Sequence, residues 1–161
     1  MTVSNVEKDF DALTLTLTAE FDAPVERVWQ LWADPRQLER WWGPPTYPAT
    51  VEEHDLSPGG TVTYFMTGPE DDTHRGMWRI ESLEPPRVLE FVDSFCHQDG
   101  SPNPDLPGTR SRMELIETEG GTRMELRAIF ESREQMKQLD DMGMTEGLTS
   151  AIGQMDALLT G

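Results

Sequence analysis

Residues 13–35 read LTLTLTAEFDAPVERVWQLWADP, and the spacing of the apolar residues changes once within this stretch. Over 13–21 apolar and polar residues alternate strictly, which predicts a half-buried strand. Pro24 suits a first helical turn, and apolar residues then follow at helical i, i+3, i+4, i+7 spacing, at Val25, Val28, Trp29 and Trp32. The stretch therefore predicts a strand followed directly by a short amphipathic helix.

The next segment repeats the helix signal and then changes to strands. Asp34-Pro35 begins a second predicted helix, whose apolar stripe runs to Trp41 and Trp42 before Gly43-Pro44-Pro45. Gly, Pro and acidic turns then separate six runs that favour strands. These six predicted strands are 46–56, 61–67, 75–83, 87–95, 110–118 and 122–130.

The C-terminal segment predicts helices. Ser132 and Gln135 match a capping box, with a helix running to Gly143, and a broad apolar face from about Thr145 to Leu159 predicts a final helix. The predicted fold class is α+β: a seven-stranded curved antiparallel sheet around a long C-terminal helix, with two short helices after strand 1. We expect one ligand-binding domain over residues 1–161, with an ordered core at about 13–159.

The composition limits the partners and the compartment. A formal net charge of -17 repels phosphate backbones and anionic lipids, so neither nucleic acid nor membrane is expected as a partner. No apolar run approaches the length of a membrane span, and no basic N-terminal targeting segment is present. Cys96 is the only cysteine and forms no internal disulfide, so the expected location is cytoplasmic.

The sequence favours neither a metal site nor a cofactor. His54, His74 and His97 lack the spacing of metal ligands, and Cys96 and His97 are adjacent strand-end residues that point to opposite faces. No phosphate-binding glycine loop, nucleophile elbow or dinucleotide fingerprint occurs. We therefore predict no metal, no cofactor and no assignable catalytic residue.

Acid–base chemistry stays open because several charged residues lie in predicted strands. An inward carboxylate at Glu53, Asp93 or Glu114, or a cation at Arg79 or Arg112, would polarise a bound carbonyl. The alternative, which we favour, is that these residues form ion pairs on the solvated sheet face.

A sheet that curls around a helix leaves space for a cavity wherever small residues replace large ones. Aromatic and methionine side chains on the strands, on the Trp41-Trp42 pair and on the last helix suit such a cavity, or alternatively fill the core. The loop 97–108 is a candidate lid. The predicted ligand contacts are Trp41, Trp42, Tyr64, Met66, Trp78, Phe91, Phe95, Met113, Met124, Met144, Leu148 and Ile152.

Four segments carry a resemblance to a known superfamily: FDAPVERVWQLWADP (21–35), LERWWGPP (38–45), SPGGTVTY (57–64) with GMWRIESLEPPRVLEF (76–91), and GGTRMEL (120–126) with GMTEGL (143–148). In this order they resemble the START-like, or Bet v 1-like (SRPBCC), superfamily, and within it the branch of the heat-shock-protein-90 ATPase activator homologues. The resemblance implies a helix-grip fold with a hydrophobic cavity, in a superfamily that includes lipid and hormone binders, polyketide cyclases and co-chaperones.

Two departures from the branch pattern bear on function. A Trp commonly follows the second glycine of the GMTEGL turn, whereas this chain has Leu148 there, which implies a roomier cavity. Co-chaperone members carry a client-binding domain before this one, whereas only about twelve residues precede the first predicted strand, which disfavours a chaperone-activator role.

Three functions follow as hypotheses, in order of preference. The first is a non-enzymatic binder or carrier of a small hydrophobic molecule, acting as a monomer or a homodimer. The second is a cofactor-independent cyclase, dehydratase or hydrolase for an apolar carbonyl substrate, which requires a buried charged residue with a shifted pKa inside the cavity. The third is a module that docks on a larger protein.

Overall fold

The computed structural model describes residues 3–101, 103 and 108–160. Its strands form one antiparallel sheet in the order β1-β2-β8-β7-β6-β5-β4-β3. The strands are β1 (Val3–Asp9), β2 (Thr14–Phe21), β3 (Ala49–His54), β4 (Thr61–Thr67), β5 (Thr73–Glu84), β6 (Val88–Cys96), β7 (Thr109–Thr118) and β8 (Gly121–Ile129). The helices are α1 (Val25–Ala33), α2 (Pro35–Leu38), α3 (Arg133–Asp141), α4 (Met144–Gly153) and α5 (Met155–Thr160).

The predicted α+β class, with a curved antiparallel sheet and helices at the C-terminus, is confirmed, but the sheet has eight strands and not seven. The additional strand is β1, which pairs with β2 from Val3↔Ala19 to Asp9↔Thr14. Val3 is its only buried residue. Because backbone pairing and not apolar burial holds β1, its sequence lacks the alternation that predicts a strand.

The helices are shorter than predicted. After α2 ends at Leu38, Trp41 and Trp42 follow in turns whose backbone N–H groups both donate to the Leu38 carbonyl. The final helix is divided at Gln154, whose side-chain amide donates to the carbonyls of Trp41 and Gly43, at 3.2 Å and 2.7 Å. The predicted break at Gly143 is confirmed, and this glycine has a φ of 89° that favours glycine.

The core lies between the inward face of the sheet and the helices, and its largest group is a cluster of aromatic rings. Trp32, Trp41, Trp42, Trp78 and Phe91 form this aromatic cluster, with neighbouring ring centroids 4.3 to 6.4 Å apart. The Trp41 indole donates to the Leu31 carbonyl at 2.8 Å. No helix in the described residues is long and apolar enough to cross a bilayer.

Candidate ligand-binding cavity

A cavity of about 270 Å³ lies between the sheet and the helices α3 and α4. Alternate residues of β2, β4, β6, β7 and β8 point to the same inward face of the sheet, and these residues form one wall of the cavity. Most lining side chains are apolar. The lining consists of Leu17, Trp42, Pro44, Tyr64, Met66, Phe91, Asp93, Phe95, Thr109, Ser111, Leu126, Ala128, Leu139, Met142, Gly143, Met144, Gly147 and Leu148.

The cavity mouth lies between the end of β6 and the turn that joins α3 to α4. Phe95 and Met142 both line the cavity, yet they are 38% and 54% exposed. Both side chains border the entrance to the cavity. Part of the predicted lid 97–108, namely residues 102 and 104–107, lies outside the described residues, so the lid stays a prediction.

The cavity occupies one end of the sheet, and this decides which predicted contacts line it. Ser111 and Leu126 are lining residues, whereas Met113 and Met124 lie further along β7 and β8. The Thr122 hydroxyl, at that far end, donates to the Ala23 carbonyl just before α1, and α1 packs on both strands. Helix α1 therefore fills that end, and the cavity remains at the other.

Of the twelve predicted contacts, the structure brings Trp42, Tyr64, Met66, Phe91, Phe95, Met144 and Leu148 together around the cavity. It places Trp41, Trp78, Met113, Met124 and Ile152 in the fully buried core, outside the lining. These five share the inward face or the apolar helix stripe with the lining residues, so periodicity alone does not separate the two groups.

Asp93 is the one carboxylate among the described residues of the cavity wall. Of the five charged residues considered for acid–base chemistry, it alone lines the cavity. Arg112 lies instead on the outer face of the sheet, 3.8 Å from both Glu90 and Glu114. The sequence indicates Asp93 by its position in β6: it lies two residues from Phe91 and two from Phe95, so it shares their otherwise apolar face.

Tyr64 donates a hydrogen bond of 2.9 Å to Asp93 Oδ1. The tyrosine on β4 reaches β6 by passing over β5 at Gly76, its direct cross-strand neighbour. A Cβ atom at Gly76 would lie 2.3 Å from the Tyr64 hydroxyl oxygen, so only glycine leaves room for this contact. The pair is thus built across three strands.

Burial raises the pKa of Asp93 to about 7, and the hydrogen bond from Tyr64 opposes this shift. Asp93 is half-buried and lines the cavity, where its carboxylate is removed from bulk solvent. Burial, followed by the charge of Asp93, also raises the pKa of Tyr64 and that of the Cys96 thiol. Asp93 therefore changes protonation state near neutral pH, where Tyr64 stays neutral.

The Tyr64→Phe variant is expected to raise the pKa of Asp93 by about one unit, because the carboxylate loses a hydrogen bond that favours its charged form. Carboxyl ¹³C shifts followed through a pH titration measure this. The matched control is Tyr47→Phe, whose hydroxyl donates to Asp72 on the surface at 3.1 Å. An Asp93 pKa that is the same in Tyr64→Phe and Tyr47→Phe would contradict the prediction.

Two further polar groups stand beside Asp93. Thr109 is its direct cross-strand partner, and Ser111 is the partner of Phe91, so both hydroxyl-bearing side chains belong to the same wall. Neither hydroxyl has a hydrogen-bond partner among residues 3–101, 103 and 108–160. Both residues line the cavity, so their hydroxyls can hydrogen-bond to a bound molecule or to water there.

The described residues contain no group of three or more His, Cys, Asp or Glu side chains arranged to hold a metal ion. The Nε2 atoms of His54 and His74 instead lie 3.1 Å from the Trp32 carbonyl and from Asp72 Oδ2, respectively. Through the lining residues that the structure describes, the cavity offers a ligand an apolar surface and the polar side chains of Asp93, Tyr64, Thr109 and Ser111.

Comparison with known proteins gives a family and several similar structures. The model of the family described as activator of Hsp90 ATPase homolog 1-like protein matches residues 22–160. The crystal structure of a protein from Mycobacterium smegmatis is 52% identical, with a TM-score of 0.91, and the match covers 98% of this chain and 96% of that one. No curated protein matches the chain.

Two further structures extend the comparison. A solution structure from Arthrobacter aurescens is 49% identical, with a TM-score of 0.95 and coverage of 99% of this chain and 92% of that chain. The crystal structure of the AHSA1 protein from Silicibacter pomeroyi shares the fold at 20% identity, with a TM-score of 0.73 and coverage of 91% and 97%.

Proposed function

The chain belongs to the family of activator of Hsp90 ATPase homolog 1-like proteins, and from its cavity we propose that it binds or carries a small hydrophobic molecule. The observation that carries the proposal is the cavity itself, which the packing of the helices on the sheet leaves unfilled and lines mainly with apolar side chains. Ligand pockets in proteins are typically concave and apolar, with few polar groups.

The cavity volume limits the size of the ligand. The volume of about 270 Å³ lies just below the range of about 300–1,000 Å³ that is typical of ligand pockets, so the cavity suits a small molecule. The side chains of Phe95 and Met142 at the cavity mouth are exposed, so a longer ligand can extend between them into solvent. A compact terpenoid, a short-chain alcohol or a small aromatic compound is the expected size class.

Native mass spectrometry of the protein purified from its own host tests the proposal. We expect a retained small molecule on the unmodified chain and none on Leu148→Trp, because an indole from α4 would fill the cavity that Leu148 borders. The control is Ile129→Trp, which places the same indole on the exposed outer face of β8. Equal retention by Leu148→Trp and the unmodified chain would place the ligand elsewhere and overturn the proposal.

Acid–base catalysis on an apolar carbonyl compound is a second candidate, and Asp93 is the observation that favours it. A carboxyl group with a pKa of about 7 in an apolar cavity suits a general acid or base at neutral pH. Such an enzyme, of the cyclase, dehydratase or hydrolase kind, would convert the retained molecule. Activity that follows an ionisation near pH 7 and disappears in Asp93→Asn would support catalysis over carriage.

The family description supports a third candidate, activation of an Hsp90 ATPase. Stimulation of the ATPase of the host's own Hsp90 by the purified protein measures this directly. Stimulation that Leu148→Trp leaves intact would favour docking through the surface, independent of the cavity.

A further inference from the structure

We propose that the cavity selects apolar molecules that end in a hydrogen-bond-donating group, an alcohol or an amine, and rejects carboxylates and phosphates. This inference rests on the proposed function and names the class of ligand. It is carried by the carboxylate–hydroxyl group of the cavity wall, formed by Asp93, Tyr64, Thr109 and Ser111.

The charges of the wall exclude an anionic head group. Among the described lining residues, Asp93 is the only acidic side chain, and no Lys, Arg or His is present. An anion in the cavity would lose its hydration, meet no cation and lie beside a carboxylate. An amine would instead gain a counter-ion.

Within the part of the chain that the structure describes, the wall has hydrogen-bond acceptors without a protein donor, which favours a ligand that donates hydrogen bonds. Tyr64 donates to Oδ1 of Asp93, and no described residue donates to Oδ2. The hydroxyls of Thr109 and Ser111, on the neighbouring strand, have no described partner and both donate and accept, so the ionised carboxylate of Asp93 is the group that selects for a donor. A ligand hydroxyl or ammonium group placed beside them satisfies acceptors that the protein leaves open.

The apolar remainder of the wall holds the body of the ligand. The side chains of Leu17, Leu126 and Ala128 from the sheet face those of Leu139 and Leu148 from the helices across the cavity. The polar group therefore decides which end of an amphipathic molecule lies against β6 and β7, and the apolar body occupies the space below α3 and α4.

The protonation of Asp93 makes the selection depend on pH. The titratable groups that interact with it among the described residues are Tyr64 on β4 and Cys96 on β6, and burial keeps both neutral at pH 7. Across β5 and β7 its neighbours are Trp78 and Thr109, which do not titrate. An amine should therefore bind more tightly at pH 8, where Asp93 is ionised, than at pH 6.

Three probes with one eight-carbon body test the inference: octylamine, 1-octanol and octanoate, titrated calorimetrically at pH 8 and pH 6. At pH 8 we expect octylamine to bind at least about tenfold more tightly than octanoate, with 1-octanol between them, because a charge-assisted hydrogen bond contributes about one power of ten or more. Octylamine should lose affinity at pH 6, whereas 1-octanol should change little.

Variants separate the cavity carboxylate from the overall negative charge of the protein. Asp93→Asn should weaken octylamine about tenfold and remove its pH dependence. Asp141→Asn, which removes the same charge from the exposed end of α3, should leave the order of the probes unchanged. Equal affinity for octanoate and octylamine, or an unchanged order in Asp93→Asn, would overturn the inference alone. Failure of all three probes to bind would overturn the proposed function as well.

Discussion

Replacing Trp78 with alanine is expected to lower the free energy of unfolding by about 3–5 kcal/mol, because a fully buried aromatic side chain leaves a cavity that its neighbours fill only in part. Trp78 stacks on Phe91 at 4.3 Å and contacts Trp42 edge-on at 4.8 Å. Its ring therefore joins β5 to β6 and to the turn after α2. Urea denaturation followed by circular dichroism measures the loss.

The indole nitrogen of Trp78 predicts a smaller loss of stability for replacement by phenylalanine. The Nε1 atoms of Trp32, Trp42 and Trp78 are buried without a hydrogen-bond partner among the described residues. Trp78→Phe removes one such unsatisfied donor while keeping most of the ring contact, so it should cost less than about half of the alanine loss. The control is Phe95→Ala at the cavity mouth, expected to cost about 1 kcal/mol or less. A Trp78→Ala loss no larger than that of Phe95→Ala would show that the aromatic cluster does not stabilise the fold.

The second large effect concerns Asp93, whose replacement by asparagine should stabilise the protein at pH 8. Its pKa is about 7 in the folded chain against 3.8 for the unperturbed group. Between these values the folded state retains a proton that the unfolded state has released, so stability falls as the pH rises. Above pH 7 the full loss of folding stability caused by the ionised Asp93 is present, and below about pH 4 this loss disappears.

The difference of about three pKa units corresponds to at most about 4 kcal/mol, and contact with the cavity reduces the expected gain to about 2 kcal/mol. Denaturation of both proteins at pH 4 and pH 8 measures the gain, which should be near zero at pH 4. Asp140→Asn is the control, because it is expected to change the stability in the opposite direction. Lys8 lies 2.9 Å from Asp140 and contributes to its lowered pKa, so that variant should lose stability above about pH 4. A gain for Asp93→Asn that is equal at both pH values would contradict the assigned ionisation.

The sequence predicts the order of elements because each of them, except β1, has an apolar face. The strict alternation of 13–21 and the helical spacing from Val25 are direct results of burial on one side. Strand β1 has no such face, and its pairing with β2 is a property of the backbone, which periodicity does not record. Gln154, where the final helix is divided, donates hydrogen bonds to carbonyls more than 100 positions away, and periodicity does not record such contacts either.

The cavity is less predictable than the fold, since lining and core residues share one face. Phe91 and Trp78 have the same character in the sequence, yet the first borders the cavity and the second is enclosed by the aromatic cluster. The volume left empty depends on how far α1 and α4 extend over the sheet. Asp93 and Ser111 are polar residues at inward positions, and both belong to the wall.

Strand β1 has a consequence for assembly. It covers the edge of β2 and presents outward a strand whose exposed positions include Asn5, Glu7 and Lys8. Charged, polar edge strands discourage pairing between molecules, whereas an uncovered edge with alternating apolar residues promotes it. A shortened chain that starts at Leu13 would expose the backbone of β2, a strand rich in threonine and leucine, to its own copies. The seven residues of β1 thus protect the edge of β2 from pairing with the sheet of another molecule.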